Sequence, residues 1–266
     1  MAPPSDTQAP RTRELRSVGR GLQVFGRCAV EFFYPRHCVL CHTALSEASE
    51  RGGDFCDGCR RELLDRAGAA CERCGAPIGP HVNPAGGCNY CVREQFAFDR
   101  VIRLGVYTDR LREACLLSKR ARQEPLTAGL ARLQWERRGD AFRDAAVDVV
   151  VPVPHFWLQR LYRFHNSAET LARVWAHILK VPLGDHILQK ARWTKPQRTL
   201  PASRRRDNVR RAFKVGHPEE IESATVLLVD DIMTTGATAH EAARVLKRAG
   251  AARVITAVVA RTVRDF

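Results

Sequence analysis

The chain has 266 residues, of which 45% are hydrophobic and 27% are charged, and this composition excludes an intrinsically disordered protein. No run approaches the roughly 20 consecutive apolar residues that a membrane-spanning helix needs, so we expect no membrane span. The formal net charge of +14 favours a polyanionic partner such as nucleic acid, or a phosphate-rich ligand, with solubility alone as the other interpretation.

Residues 1–35 divide into a tail and a helical pattern. The first ten residues read as a disordered tail and lack the charged, apolar and small-residue order of a secretory signal, so we expect a cytoplasmic location. From Leu15 to Phe33 apolar residues recur near the helical period, and Pro35 ends the pattern. We predict an amphipathic helix that docks on the rest of the protein. A partner or a membrane surface is the alternative docking site.

Eight of the ten cysteines form four Cys-x-x-Cys pairs within 54 residues. The pairs are Cys38 with Cys41, Cys56 with Cys59, Cys71 with Cys74, and Cys88 with Cys91. Reducing compartments rarely keep disulfides, and two such pairs supply the four thiolates of a tetrahedral zinc site. Separate redox dithiols are the alternative, which four pairs so close together disfavour. We therefore predict a double zinc ribbon over residues 36–94 that holds two structural zinc ions.

The spacing of the pairs leaves their partnership open. The gaps are 14 residues from Cys41 to Cys56 and 13 residues from Cys74 to Cys88, so sequential pairing in two tandem ribbons is simplest. A cross-brace, first pair with third and second with fourth, is the alternative. Because the protein supplies all four ligands, the metal contributes folding energy and leaves no open position for chemistry.

The two remaining cysteines, and three histidines beside the paired cysteines, are not expected to bind metal. Cys28 and Cys115 lie outside the four pairs and are interpreted as ordinary semi-buried thiols. His37, His42 and His81 stand beside the knuckles, and we expect them on the surface because the cysteines already complete two sites.

Beyond residue 94, strand patterns and helix patterns alternate along the chain. "FDRVIRLGVYT" alternates as a strand would, "PLTAGLARLQWE" carries a helical stripe, and "VDVVVPVP" is typical of a buried parallel strand. "NSAETLARVWAHILK" opens with Asn166 and Glu169 at capping-box spacing. The helix of "AHEAARVLKRAGA" closes at Gly250, and the strand "RVITAVVA" follows it. This alternation predicts an α/β domain with a parallel sheet over residues 95–266.

The stretch "TVLLVDDIMTTGAT", residues 225–238, carries the chemistry of this domain. An apolar strand leads directly into Asp230 and Asp231, and functional groups of parallel sheets gather at the carboxyl ends of strands. The Thr-rich turn then opens a helix, whose free backbone N–H groups suit a phosphate. The two carboxylates suit a vicinal diol or a water-bound magnesium ion. Together they predict a sugar phosphate ligand, with a plain strand end and helix cap as the alternative.

Three further stretches and the motif at residues 225–238 together match the spacing of one known protein family. The three stretches are "YTDRLREACLLSKRAR", "VPVP" at residues 151–154, and "TKPQRTLPASRRRDNVRRAF" with Thr194, Gln197, Leu200, Arg205, Asn208 and Phe213. "VLLVDDIMTTGAT" resembles the thirteen-residue phosphoribosyl-pyrophosphate (PRPP) motif of type I phosphoribosyltransferases. Over about residues 15–266 the chain resembles the ComF (competence protein F) family. The resemblance implies a parallel-sheet type I phosphoribosyltransferase-like domain preceded by a small tandem zinc-ribbon domain.

The resemblance also implies roles for individual residues. Asp230 and Asp231 would hold the ribose 2- and 3-hydroxyls, with magnesium bound together with PRPP. The implied PRPP-binding residues besides these two are Thr234, Thr235, Gly236, Ala237 and Thr238 around the 5-phosphate, Pro152, Val153 and Pro154 at the pyrophosphate loop, and Lys119. The implied catalytic residues are Asp230, Asp231, Arg163 and Arg205.

One stretch departs from the family pattern. After "VPVP" the family usually has Arg-Gly-Phe-Asn-Gln, where this chain has Arg163, Phe164, His165, Asn166 and Ser167. The change falls on a loop expected near the pyrophosphate or the acceptor pocket, so it predicts an altered acceptor or a loss of turnover. His165 is the one nearby candidate for a general base.

Residues 190–214, the basic segment, hold ten Lys or Arg residues and a single acid, Asp207. In related transferases this position belongs to a mobile loop that covers the pyrophosphate, where cations neutralise the leaving group. Ten cations exceed what one pyrophosphate needs, so single-stranded DNA is the second candidate ligand, and a solvated basic face is the third interpretation. Trp193 and Phe213 would either stack on bases or pack in the core.

These features leave three functions open. The first is a PRPP- and magnesium-binding protein that acts with single-stranded DNA in natural competence. The second is an active phosphoribosyltransferase of nucleotide metabolism with an unknown acceptor base. The third is a non-catalytic PRPP sensor or a scaffold that docks a helicase-like competence protein on its zinc ribbons.

Overall fold

The computed structural model of the chain describes residues 36–45, 53–154, 166–195 and 200–262. The predicted N-terminal helix, Cys28, the stretch from Arg163 to His165 and Gln197 lie outside these described residues. The division of the chain at residues 35 and 94 therefore stays a prediction.

A parallel sheet forms the centre of the molecule, as the alternating pattern predicts. The strands are β1 (Arg100–Val106), β2 (Val149–Pro152), β3 (Leu188–Lys190), β4 (Phe213–Val215), β5 (Thr225–Met233) and β6 (Arg253–Arg261). Four of them form the parallel sheet in the order β1-β6-β5-β2, and β3 pairs with β4 in a separate antiparallel ribbon. The predicted parallel-sheet α/β fold is confirmed.

Six helices accompany these strands in the described residues. They are α1 (Asp57–Leu64), α2 (Asp109–Leu117), α3 (Glu124–Asp144), α4 (Ser167–Leu179), α5 (Arg205–Val209) and α6 (Ala237–Arg248). The predicted cap of α4 is present: Asn166 Oδ1 accepts a hydrogen bond of 3.1 Å from the Ala168 amide, and Asn166 Nδ2 donates to Glu169 Oε1 at 2.9 Å. Side-chain groups at this position satisfy helix N–H groups that have no intrahelical acceptor.

The predicted strand β1 is present, and it is buried on both faces. Every residue after Arg100 is buried, Arg103 included. One reason is α3, whose Gln134 Nε2 donates to the Ile102 carbonyl at 3.2 Å. The other is the cysteine-rich region, because Arg103 Nε donates to the Gly75 carbonyl at 2.5 Å.

The first half of the cysteine-rich region shares its core with the sheet. Cys38, Leu40, Phe55, Cys59 and Leu63 belong to one buried cluster together with apolar side chains of β1, β5, β6, α3 and α4. The second half has a small core of its own, made of Cys71, Cys74, Ala76 and Cys91 with partly buried neighbours that include Phe96. The two halves of this region are therefore attached to the sheet in different ways.

Strand β5 is longer than its neighbour β2, and this difference opens the site. The last residue of β2, Pro152, pairs with Val229, whereas β5 continues beside β6 to Met233. Asp230 and Asp231 thus lie within β5, in the part of the strand that extends past the end of β2.

Candidate metal and phosphate sites

The eight paired cysteines form two four-thiol clusters. Cys38, Cys41, Cys56 and Cys59 form the first cluster, and Cys71, Cys74, Cys88 and Cys91 form the second; the sulfur atoms of each lie within 4.8 Å of one another. Close Sγ–Sγ distances are 3.6 Å (Cys41 to Cys56) and 3.6 Å (Cys74 to Cys88). Tetrahedral Zn–S bonds of about 2.3 Å place sulfurs about 3.8 Å apart, so both clusters fit zinc. The pairing is sequential, and the cross-brace alternative is wrong.

The surroundings of the thiols match a structural metal. Burial raises the pKa of Cys59 to about 12 and that of Cys71 to about 11, so a bound cation would have to displace these protons. Arg110 Nη2 lies 3.5 Å from Cys59 Sγ and stabilises its thiolate form. His37, His42 and His81 are exposed, as predicted. Cys115, expected to be semi-buried, is fully buried.

The acid pair on β5 is held in place by the backbone and by one lysine. Asp230 Oδ1 accepts a 2.9 Å hydrogen bond from the Asp231 amide, and Asp231 Oδ1 accepts one of 2.7 Å from the Ile232 amide. The other oxygen of Asp231, Oδ2, lies 2.8 Å from Lys119 Nζ. The structure therefore brings Lys119 together with Asp230 and Asp231, although Lys119 lies 111 positions before Asp230 in the sequence.

The electrostatics of the pair favour a bound cation or hydroxyl donors. Burial, with a smaller contribution from Asp231, raises the pKa of Asp230 to about 8. Loss of hydration works against the charged form of Lys119, but the Asp231 carboxylate outweighs it, and the pKa of Lys119 is raised. Burial lowers the pKa of Lys190 at the end of β3, although the Asp230 carboxylate partly opposes this. Among the described ion pairs, the acid pair thus has one close cation, Lys119, which contacts Asp231.

Residues 234–238, called the phosphate loop after their predicted ligand, comprise the turn that follows β5 and the first two residues of α6. Gly236 is the N-cap of α6 and has φ +78°, a left-handed conformation that suits glycine. A Cβ atom at this position would lie 3.0 Å from Met233 Cε and 3.2 Å from Phe96 Cε1. The Ala237 amide donates to Thr235 Oγ1 at 3.3 Å, a long hydrogen bond that an anion could replace. The N-terminus of α6 therefore offers amide groups to a phosphate next to the acid pair.

The remaining predicted site residues take different places. Pro152 ends β2, the Val153 amide donates to the Val229 carbonyl at 2.8 Å, and Pro154 follows, so these three lie beside the acid pair. Arg205 begins α5, and its Nε donates to the Leu200 carbonyl at 3.1 Å within the basic segment. Arg163 lies outside the described residues.

Hydrogen bonds within the basic segment join its beginning, residues 192–195, to Asn208. The Lys195 amide donates to Asn208 Oδ1 at 3.2 Å, and Asn208 Nδ2 donates back to the Lys195 carbonyl at 2.9 Å. Arg192 Nη2 donates to the Asn208 carbonyl at 2.9 Å. Phe213 is buried in the core, so it does not offer a stacking face, whereas the side chain of Trp193 is 51% exposed.

Three residues near the site escaped the sequence reasoning. Lys190, at the end of β3, interacts electrostatically with Asp230, and its place as the first residue of the basic segment is the signal that could have pointed to it. Tyr107 lies within electrostatic range of Lys119 and Asp231, and burial raises its pKa. Arg261 is buried at the end of β6 and contacts the phosphate loop; an arginine at the end of an apolar strand carries no such signal.

Two family models match the chain, and they define its class. Residues 29–93 match the double zinc ribbon domain, and residues 165–264 match the phosphoribosyl transferase domain. The sheet order, the two four-cysteine clusters and the acid pair before a helix N-terminus agree with both. The chain is thus a double zinc ribbon joined to a phosphoribosyltransferase-like domain.

Similar proteins cover almost the whole chain. It is 31% identical over 232 residues to the DNA utilization protein YhgH of Salmonella typhi, covering 86% of this chain and 98% of that protein. It is 27% identical over 222 residues to competence protein F of Haemophilus influenzae, covering 82% of this chain and 93% of that protein. The chain belongs to the family of competence protein F and the YhgH proteins.

Among solved structures, glutamine PRPP amidotransferase from B. subtilis, complexed with ADP and GMP, matches at 25% identity. The match covers 42% of this chain and 22% of that chain, with a TM-score of 0.29. None of the helices in the described part of the chain is long and apolar enough to cross a membrane.

Proposed function

We propose that the chain binds PRPP with magnesium at the acid pair and the phosphate loop, and that it handles single-stranded DNA in natural competence or DNA utilisation. The observation that carries the proposal is the position of Asp230 and Asp231. They extend past the end of β2, and residues 232–236 connect them to the N-terminus of α6. A ligand with hydroxyl groups at one end and a phosphate at the other fits this order of groups.

Each part of the site has a task in holding PRPP. The carboxylates of Asp230 and Asp231 accept hydrogen bonds from the ribose hydroxyls, and the amides at the start of α6 donate to the 5-phosphate. Lys119 offsets the negative charge of the pair at 2.8 Å from Asp231. Magnesium, when bound, would neutralise the pyrophosphate oxygens, and oxygen ligands such as these carboxylates suit it directly or through water.

Isothermal titration calorimetry with magnesium and PRPP tests this proposal. Asp231→Asn removes the charge that faces Lys119 and should weaken PRPP binding by about tenfold or more, because a charged hydrogen-bonding group is lost. Glu219→Gln is the matched control, since it removes one exposed acidic charge in the turn that precedes β5. Equal affinity in the wild-type protein and Asp231→Asn would contradict the assignment of the pocket.

The same pocket serves a transferase or a sensor, and we propose binding rather than turnover as the function. The reason is the departure from the family pattern on the expected acceptor side, where Phe164 and Ser167 stand in place of Gly and Gln. Incubation with PRPP and a panel of nucleobases separates the two roles. Pyrophosphate release that depends on one base identifies a transferase, and binding without release identifies a sensor.

The part of the proposal that concerns DNA is supported by the basic segment. Arg204, Arg206, Arg210 and Lys214 are exposed there, and the exposed indole of Trp193 adds a surface on which bases can stack. The names of the relatives, competence protein F and DNA utilization protein, point the same way. A helicase-like protein is the partner that we propose for the ribbons, in the cytoplasm, where thiols stay reduced.

A further inference from the structure

The guanidinium of Arg261 joins the second zinc cluster to the phosphate loop. Its Nε donates to the carbonyl of Cys74, a ligand residue of that cluster, at 2.9 Å. Its Nη1 donates to the Met233 carbonyl at 3.3 Å and also to the carbonyls of Thr234 and Thr262. Arg261 is buried, so these donors depend on protein acceptors in place of water. A shift of the Cys74 carbonyl would therefore be felt at the first residue of the phosphate loop.

A second connection runs through the chain that leaves the cluster. Phe96 packs against the small core of the second cluster and against the core beneath α6. Its Cε1 atom is 3.2 Å from the position that a Cβ on Gly236 would take. The adjacent Ala97 amide donates to His240 Nδ1, in the first turns of α6, at 3.1 Å.

The position of Cys74 depends on the metal. The buried core of the second cluster consists of Ala76 and three of the ligand cysteines, so it contains little apolar material besides the ligands themselves. A region of this kind takes its folding energy from the ion. The first cluster differs, because Cys38 and Cys59 belong to the large core that includes the sheet. Loss of metal should therefore move the second cluster more than the first.

We propose that zinc in the second cluster sets the conformation of the phosphate loop through Arg261, which acts as a positioning residue. This makes the second ribbon part of the ligand site and lets metal loading control the affinity for a phosphorylated ligand. The consequence for ligand affinity rests on the proposed function, whereas the effect on the loop does not.

Hydrogen exchange of the peptide covering residues 234–240, measured by mass spectrometry without ligand, tests the proposal. Cys88→Ser, which disrupts the second cluster, should speed exchange of this peptide by about fivefold or more. Cys41→Ser, which disrupts the first cluster, should change it by less than about twofold. Arg261→Gln should speed exchange as Cys88→Ser does while keeping two zinc ions per chain. In the Arg261→Gln background, Cys88→Ser should add much less than it does in the wild-type protein, because only the connection through Phe96 and Ala97 then remains.

Arg103→Gln is the matched control. Arg103 is also a buried arginine that binds the second ribbon, through the carbonyls of Gly75 at 2.5 Å and Ala69 at 3.3 Å, but from β1. It should leave exchange of residues 234–240 within about twofold of the wild-type rate, provided that the zinc content stays at two. Arg261→Lys keeps the charge, but one ammonium group cannot span both sets of carbonyls, so it should behave like Arg261→Gln.

The hydrogen-exchange results test the role of Arg261, and the PRPP calorimetry tests the proposed function, so the two can fail independently. Unchanged exchange in Arg261→Gln, or the same change in Arg261→Gln and Arg103→Gln, would overturn the role of Arg261. If Cys88→Ser does not fold by circular dichroism, the two arginine variants decide the question, since both keep all eight ligands. If the wild-type protein fails to bind PRPP in calorimetry, the proposed function is wrong, and the exchange result still decides the link between cluster and loop.

Discussion

At the scale of single residues, Asp230 is held in surroundings that disfavour its charge. Burial and the neighbouring Asp231 raise its pKa to about 8, while Lys119 lies against the other carboxylate at 2.8 Å. A group of this kind costs stability when it ionises, and proteins retain such groups where function needs them. A cation or a pair of hydroxyl groups at the site would remove the cost.

The raised pKa of Asp230 predicts how stability depends on pH. Because the folded pKa of about 8 exceeds the ordinary aspartate pKa of 3.8, the folded state holds a proton that the unfolded state has released, and stability falls as pH rises from above 3.8 to about 8. Asp230→Asn removes this loss. Its stability advantage over the wild-type protein should grow by about 2–3 kcal/mol between pH 6 and pH 9 in magnesium-free buffer. Denaturant unfolding at several pH values measures it.

The control for this prediction is Asp148→Asn, which changes an exposed aspartate at the other end of the sheet, where Oδ2 accepts from the Thr225 amide. Its effect should not grow with pH over this range. Parallel pH profiles for Asp230→Asn and the wild-type protein would contradict the raised pKa.

Arginines that are buried (Arg103 and Arg261) or partly buried (Arg138) are a second feature at this scale. Arg103, Arg138 and Arg261 donate to backbone carbonyls of the cysteine-rich region, at Gly75, Gly68 and Cys74 respectively. Burial, followed by repulsion from the other two arginines, lowers the pKa of Arg103 to about 10, so it stays charged near neutral pH. Guanidinium groups satisfy several carbonyls at once, which lets a loop-rich region dock without its own sheet.

At the scale of elements, the turn from β5 into α6 decides the shape of the phosphate site. The turn needs a left-handed residue with no side chain, because Gly236 has φ +78° and is close to Met233 and Phe96. The helix then begins with amide groups at the end of the strand that carries the acids. The length of β5, the position of Gly236 and the first residue of α6 therefore together determine the shape of the phosphate site.

We predict that Gly236→Ala weakens both folding and ligand binding. The left-handed conformation costs about 1 kcal/mol for alanine, and the Cβ contacts at 3.0 and 3.2 Å add a displacement of Met233 or Phe96. The free energy of unfolding should fall by about 1–3 kcal/mol, with a loss of PRPP affinity of about tenfold. Thermal or denaturant unfolding and calorimetry measure the two effects.

Gly250→Ala is a control that introduces backbone strain without displacing neighbouring side chains. Gly250 has φ +109°, but the nearest atom to its added Cβ would be Glu222 Cα at 3.5 Å, an ordinary contact. This variant should lose stability while its PRPP affinity stays unchanged. Equal affinities for Gly236→Ala and Gly250→Ala would show that the loop conformation does not matter for binding.

At the scale of the whole molecule, positive charge is the dominant surface property. The net charge is +14, and the basic segment contributes ten Lys or Arg residues against one acid. Part of this charge is used internally, since Arg206 pairs with Glu94 and Arg192 binds backbone carbonyls. The rest is exposed beside Trp193 and can contact phosphates of a nucleic acid.

We predict that the protein binds single-stranded DNA in a salt-dependent way through the basic segment. Replacing Arg204, Arg210 and Lys214 by Gln removes three exposed cations and should weaken binding by about tenfold at moderate salt. The slope of log K against log salt should become shallower by about 2, at roughly 0.7 per lost phosphate contact. Fluorescence anisotropy with a labelled oligonucleotide over a salt series measures both.

Arg173, Arg248 and Arg253, replaced together by Gln, provide the charge-matched control. All three are exposed and lie outside the basic segment, on α4, at the end of α6 and at the start of β6. Equal losses in the two triple variants would mean that overall charge, rather than the basic segment, binds the DNA.

Much of this architecture could be predicted because its signals are local. The Cys-x-x-Cys pairs, the cap of α4 and the apolar strand ending in Asp230 and Asp231 each lie within a few residues of one another. Burial depends on neighbours that are distant in the chain. Strand β1 is buried on both faces because the cysteine-rich region covers the face that would otherwise meet water, and of the two interpretations of Phe213 the structure shows packing in the core.

The sequence by itself determined the eight cysteine ligands, the alternation of strands and helices in the α/β domain, and the acid pair before a Thr-rich turn, since these follow from spacing and periodicity. Only the tertiary structure decided which cysteine pairs share an ion, that Lys119 meets Asp231, and that Arg261 links Cys74 to Thr234. These contacts join segments far apart in the chain, and their geometry depends on how the cysteine-rich region packs against the sheet.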